Sequence, residues 1–206
     1  MRAKSLLTIV ILTTAAPVLA ATFNYGWEDG TGTILAMFPA NSLFPYNVTA
    51  PDPVHAGDHS LKLVDNGGTG VTPQGYLAWV TGLVTGDVVT ASFWRYDTTP
   101  GSGPSARIWA HWNDNPSDLM GFNGSASGNS DYGPGTGWDQ TSWTWTVSSP
   151  HTGLVIEVRT YTDAGHTVWL DDLAVTIPDT ASVVLMPEPT GLALLALGAC
   201  GLIRRR

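Results

Sequence analysis

Cysteine is almost missing: the single one, Cys200, stands seven residues from the C-terminus. The body of the chain therefore has no disulfide, no thiolate nucleophile and no cysteine metal site. Positive charge is nearly as scarce. Between residues 21 and 185 the only basic side chains are Lys62, Arg95, Arg107 and Arg159, against sixteen acidic ones, a net charge of −12. A nucleic-acid partner needs a basic footprint, which these residues do not supply, and an anionic membrane surface is disfavoured for the same reason. Helical periodicity is missing as well. Glutamate is sparse: Glu28 and Glu157 are the only two before Glu188. That matters because glycoside hydrolysis needs two carboxylates about 5–10 Å apart across one bond. There is no Gly-x-Ser-x-Gly elbow, and His55, His59, His111, His151 and His166 sit in no recognisable catalytic motif. Gly67-Gly68-Thr69-Gly70 lacks the lysine of a phosphate loop. No catalytic motif supports an enzyme, and an unrecognised glycoside hydrolase is left as a distant alternative to a non-catalytic binding module or a structural matrix protein.

The two ends are specialised. Arg2 and Lys4 precede a short apolar run, Leu6–Leu12, and Val18-Leu19-Ala20 places small residues before Ala21. This is the layout of a secretory signal peptide over residues 1–20, cut by signal peptidase. A membrane anchor is the alternative, but the run is far short of the roughly 20 residues a spanning helix needs. At the other end, Pro187-Glu188-Pro189 leads into the apolar run Gly191–Ile203 and then Arg204-Arg205-Arg206. Such a run enters a bilayer, and terminal arginines hold its end on the cytoplasmic side. The tail, within residues 181–206, resembles the PEP-CTERM sorting signal. That resemblance implies export from a Gram-negative bacterium, transient membrane association and processing by an exosortase. A tail that is retained as a plain anchor is the alternative.

Residues 21–180 carry the fold. Period-two alternation bounded by Gly, Pro, Asp and Asn predicts strands near Thr22–Trp27, Ser60–Val64, Gly75–Thr81, Asp87–Asp97, Ser105–Trp112, Thr141–Val147, Gly153–Thr162 and Val168–Ile177. Thr31–Val54 and Asn113–Gly137 read as long irregular loops. Many short strands with turn-rich connections make an all-β sandwich or barrel. Within that order stand FNYGWEDG (23–30), AGDHSLKL (56–63), GDVVTASFW (86–94), Trp138 and VWLDDL (168–173). Their succession resembles the galactose-binding-like jelly rolls, above all the carbohydrate-binding modules attached to xylanases and glucanases. It implies a single antiparallel β-sandwich. Such domains also serve as structural modules, so the resemblance leaves function open.

Alternation separates the strand faces. Val89, Ala91 and Phe93 form one face of their strand, Thr90, Ser92, Trp94 and Tyr96 the other. Ala106, Ile108, Ala110 and Trp112 oppose Arg107, Trp109 and His111; Leu154, Ile156 and Val158 oppose Glu157, Arg159 and Tyr161. Placed on one sheet, Trp94, Tyr96, Arg107, Trp109, His111, Glu157, Arg159 and Tyr161 would make a polysaccharide-binding platform. Rings cover the apolar face of a sugar while charged groups pair with its hydroxyls. Alternatively they are ordinary strand aromatics covered by a loop. Trp143 and Trp145 are expected in the core.

Asp171 shares its parity with Leu173 and Val175, so its carboxylate is expected to point inward, where an unpaired charge is costly. Glu28, Asp58 and Asp171, with carbonyls around Gly57 and Ser60, suit a calcium ion. A structural calcium between the first strand, this turn and the last strand is also what the jelly-roll resemblance implies. The alternative is that Asp171 and Asp172 simply accept backbone hydrogen bonds at a strand end.

Overall fold

The computed structural model describes residues 20–68, 70–98, 105–161 and 164–185. Apart from Ala20, the signal peptide lies outside them, as do the Pro-Glu-Pro triplet and the apolar and arginine segments of the tail. Among the described residues there are twelve strands: β1 (Ala20–Tyr25), β2 (Ala36–Phe38), β3 (Leu43–Val48), β4 (Ser60–Asp65), β5 (Gln74–Thr81), β6 (Val88–Asp97), β7 (Ala106–Trp112), β8 (Ser125–Gly128), β9 (Gly137–Thr146), β10 (Gly153–Thr160), β11 (Thr167–Pro178) and β12 (Ser182–Val184).

They form two antiparallel sheets packed face to face, the all-β sandwich expected. One runs β3-β4-β11-β6-β9, with β1 on the second half of β11; the other runs β12-β5-β10-β7-β8, with β2 also on β5. The expected strands all appear, with boundaries shifted by a few residues. The additions lie in the two expected loops and past residue 180: β2 and β3 in the first loop, β8 in the second, and β12 closing the edge of β5. The sandwich domain thus extends to at least Val184.

The core follows the alternation. Val89, Ala91 and Phe93 of β6 and Leu170, Leu173 and Val175 of β11 meet Ile108 and Ala110 of β7 and Leu154, Ile156 and Val158 of β10, all essentially inaccessible. Burying a side chain of this kind contributes about 1.5–3 kcal/mol. Trp27 and Trp145 join this core, but Trp143, expected beside Trp145, is 39% exposed. Its strand, β9, is the edge of its sheet, so the sandwich ends before covering that ring.

Candidate functional site

The outer face of the second sheet carries three rungs of side chains across β5, β10 and β7. Strand register places Gln74, Arg159 and Arg107 in one, Tyr76, Glu157 and Trp109 in the next, and Trp79, Val155 and His111 in the third. The β5 contribution depends on a bulge. Ala78 pairs with Ile156 but Tyr76 pairs with Glu157, so Leu77 is an extra residue. A bulge reverses the sense of alternation beyond it. Tyr76 and Gln74, which share parity with the core residues Ala78 and Val80, are thereby turned outward onto the face of Glu157.

Glu157 lies at the centre, fully buried, and accepts hydrogen bonds from His111 Nδ1 at 2.5 Å and Arg159 Nε at 2.8 Å. Arg159 in turn stands 4.7 Å over the Trp109 ring, and Trp109 Nε1 donates to Ser125 Oγ at 3.0 Å. Arg107 is held between the rings of Tyr132 and Tyr161, at 3.4 and 4.1 Å. The Tyr76 hydroxyl is pushed up to about 12, first by burial and then by the Glu157 carboxylate, with Arg159 acting the other way. It is therefore a neutral hydroxyl, able to donate and accept, at every physiological pH. Arg107 Nε, His111 Nε2 and Trp79 Nε1, all on this face, have no hydrogen-bond partner among the described residues.

Above this floor opens a cleft of about 380 Å³, lined by Phe38, Gln74, Tyr76, Met120, Phe122, Ser125 and Arg159. Two rings are exposed at its rim, Phe38 at 51% and Phe122 at 67%, the latter with its centroid 5.5 Å from that of His111. The loop bearing Met120 and Phe122 is braced by Asn113 Nδ2, which donates to the carbonyls of Asp118 and Leu119, and by Asp114 N, which donates to Asn123 Oδ1. The Gln74 side-chain amide has no hydrogen-bond partner among the described residues. The site combines apolar rim rings with a hydroxyl, an amide and a guanidinium on its floor, the combination that small-ligand sites use.

Six of the eight residues expected on one platform are brought together: Arg107, Trp109, His111, Glu157, Arg159 and Tyr161. Trp94 and Tyr96 are not. Both belong to β6, which pairs with β11 and β9 in the opposite sheet, and both point outward from that sheet. Alternation assigns a side within a strand but not the sheet to which the strand belongs. Trp109 and Tyr161 also differ from expectation, since Arg159 and Arg107 occupy their faces. Phe38, Gln74, Tyr76, Met120, Phe122 and Ser125 were not anticipated. The isolated apolar pair Met120 and Phe122 inside a polar loop was the available signal.

The acidic residues expected to hold calcium meet a different neighbourhood. Asp171 pairs with Trp94, and Ala174 with Ser92, so β11 has an extra residue here, with Asp172 at a φ of 49°. This bulge turns Asp171 to the Trp94 side of the sheet, not inward with Leu173 as expected. It is nonetheless fully buried, because the segment around His55 covers it. Its Oδ2 accepts from His55 N and Ala56 N, at 3.0 and 3.2 Å, and its Oδ1 from Asp172 N at 2.8 Å. Burial holds its carboxyl above the usual value, with these backbone donors opposing the shift. Glu28 accepts from Asp58 N and His59 N, and a Cβ at Gly57 would collide with its carboxylate. Gly57 also has a φ of 69°, so glycine is required twice over. The Asp58 side chain is exposed, and Ser60 Oγ donates to Pro53 O. No three His, Cys, Asp or Glu side chains converge among the described residues. In this arrangement the donor set does not fit an ion requiring six to eight oxygens. Backbone donors satisfy both carboxylates instead.

No protein-family model and no curated protein matches the chain. Solved structures do. The first CBM22 xylan-binding domain of Xyn10C from Paenibacillus barcinonensis superposes with a TM-score of 0.53 at 14% identity, covering 79% of this chain and 98% of that one. The C-terminal family 22 carbohydrate-binding module of Xyn10B from Clostridium thermocellum gives 0.51 at 13%, covering 77% and 93%. The sandwich is shared. At such identities the likeness establishes the fold, and this is the fold that the order of strand signatures implied.

Proposed function

We propose that the chain is an exported, non-catalytic glycan-binding module whose binding site is the cleft over β5, β10 and β7. The observation that carries this is the pairing of two exposed rim rings, Phe38 and Phe122, with the polar floor of Gln74, Tyr76 and Arg159. A ring covers the C–H face of a pyranose while the floor groups pair with its hydroxyls. The non-catalytic reading is supported by the lining itself. No carboxylate borders the cleft, and Glu157 beneath it is committed to His111 and Arg159. Because the similar Paenibacillus module is described as xylan-binding, xylan is the first glycan to test.

The experiment is affinity electrophoresis of residues 21–185 in gels containing soluble xylan and other plant and bacterial polysaccharides. Phe122→Ala removes an exposed ring, so it should weaken retardation while changing the melt by no more than about 0.5 kcal/mol. A wild type retarded by no polysaccharide supports the alternative reading, a structural or adhesive matrix protein.

Export and sorting to the cell surface rest on the two chain ends. Protein recovered outside the cell should begin near Ala21 and lack Arg204–Arg206. An intact mass that retains the arginines overturns exosortase cleavage.

A further inference from the structure

Trp94 and Tyr96, which the cleft does not use, belong to a second surface on the opposite sheet. Register places Lys62, Trp169, Tyr96 and Trp138 in one continuous rung across β4, β11, β6 and β9. The rings meet edge to face: Trp169 to Tyr96 at 5.7 Å and Tyr96 to Trp138 at 5.5 Å. In the next rung toward β1, Trp94 stands between Asp171 and Gln140. His55 stacks on the Trp94 indole at 3.9 Å and 16°, and its Nδ1 lies 2.6 Å from Asp172 Oδ2. Trp94 is thus held on one ring face by a side chain that is itself anchored.

Beside it opens a cleft of about 460 Å³, bordered by Trp94, Asn24, Gln140, Glu28 and Asp172. His55 does not border it. Asn24 and Gln140 are both exposed, and neither side-chain amide has a hydrogen-bond partner among the described residues. Beyond Trp94 the sheet drops to small side chains, Ala174, Ser92 and Ser142. A braced indole at the border, two uncommitted amides and a low floor give a ring for a sugar to pack on and donors and acceptors for its hydroxyls. Glu28 and Asp172 at the border, with no basic residue among the lining groups, disfavour an anionic occupant.

We infer that this cleft is a second glycan-binding site, selective for an uncharged polysaccharide, and that the domain binds two chains from opposite faces. The inference extends the glycan-binding reading but uses none of the same residues. A two-faced binder links separate polysaccharide chains, which a one-faced binder of equal affinity does not.

The test mixes purified residues 21–185 with soluble xylan, and separately with soluble mixed-linkage β-glucan. It reads turbidity for bridging and gel retardation for binding. Wild type should give both signals with one polysaccharide. Gln140→Ala, an exposed change that spares the fold, and Trp94→Ala should lose turbidity while keeping retardation, and Phe122→Ala should do the same. Each pair of changes on opposite faces should lose retardation as well. If Gln140→Ala and Trp94→Ala both bridge like wild type while Phe122→Ala loses all retardation, the second site is overturned and the first stands. If Phe122→Ala is silent and the Trp94 and Gln140 changes lose all retardation, the first site is overturned. Turbidity that tracks self-association of the protein without polysaccharide overturns the two-face reading. A wild type that neither sugar retards overturns both.

Discussion

The outer face of β5, β10 and β7 and the outer face of β11, β6 and β9 come from the same alternation, yet they treat polar groups in opposite ways. On the first, charge is drawn under a lid: Glu157 and His111 are buried, and Arg159 covers Trp109. On the second, small hydroxyl side chains lie open, with Thr22 bonded to Thr176 and Thr90 to Thr144, beside Trp94 and the aromatic rung. The difference follows from what crosses each face. Among the described residues, Phe38 of β2 and Met120 and Phe122 of the 113–124 loop border the first, whereas the segment around His55 covers Trp94 and Asp171 on the second. In both sheets a bulge beside the site reverses the alternation, at Leu77 in β5 and at Asp172 in β11. Each delivers a polar residue, Tyr76 or Asp171, to a side that its parity would have denied it.

The sharpest way to break this contrast is to empty the buried centre. Glu157→Ala leaves His111 buried without its acceptor and frees Arg159 from its anion. Removing one partner of a buried charge pair costs about 3–5 kcal/mol. Urea unfolding should show a loss of that size, with binding failing as the floor collapses. A loss under about 1 kcal/mol would mean that the network is not buried in solution.

Trp109→Ala probes the same face less severely. Were Trp109 the open platform that alternation suggested, its loss would weaken glycan binding and spare the melt. Covered by Arg159 and tied to Ser125, it should instead cost about 2 kcal/mol, below the 3–5 kcal/mol of a full core truncation. Retained xylan binding at saturating ligand, measured by calorimetry, would separate this bracing role from direct contact.

Much of this was legible. Eight strands, the apolar parity of β6, β7 and β10, and six of the cleft-side residues follow from period two alone. Three things did not. β3 lies inside the expected loop Thr31–Val54 and contains Pro45, but it is an edge strand, where a proline without its N–H is tolerated. The assignment of β6 to the other sheet depends on long-range pairing with β9 and β11, which no local pattern records. The two bulges are invisible for a related reason: an extra residue changes parity without changing composition. Tyr76 was therefore absent from the expected platform and Asp171 was read as an inward residue, each because of a single inserted residue.

The smallest effect concerns Asp171, and its sign is diagnostic. Burial raises its carboxyl from the ordinary 3.8, while the N–H groups of Ala56, Asp172 and His55 pull the other way. A raised folded value means that the folded chain holds this proton where the unfolded chain has released it, so stability falls as pH rises through that interval. Above the interval the loss is constant. In chelator, wild type measured against Asp171→Asn, which cannot titrate, should therefore lose relative stability as pH rises from about 3.8. A calcium ion held by Glu28, Asp171 and carbonyls around Gly57 and Ser60 is a proposal of the sequence that requires the present N–H donors to give way. Because a metal binds only the ionised carboxylate, it would draw the folded value down and make wild type gain with pH instead. The same titration repeated in millimolar calcium decides the matter. A reversed slope supports the ion, and an unchanged slope leaves Asp171 as an acceptor for backbone N–H groups.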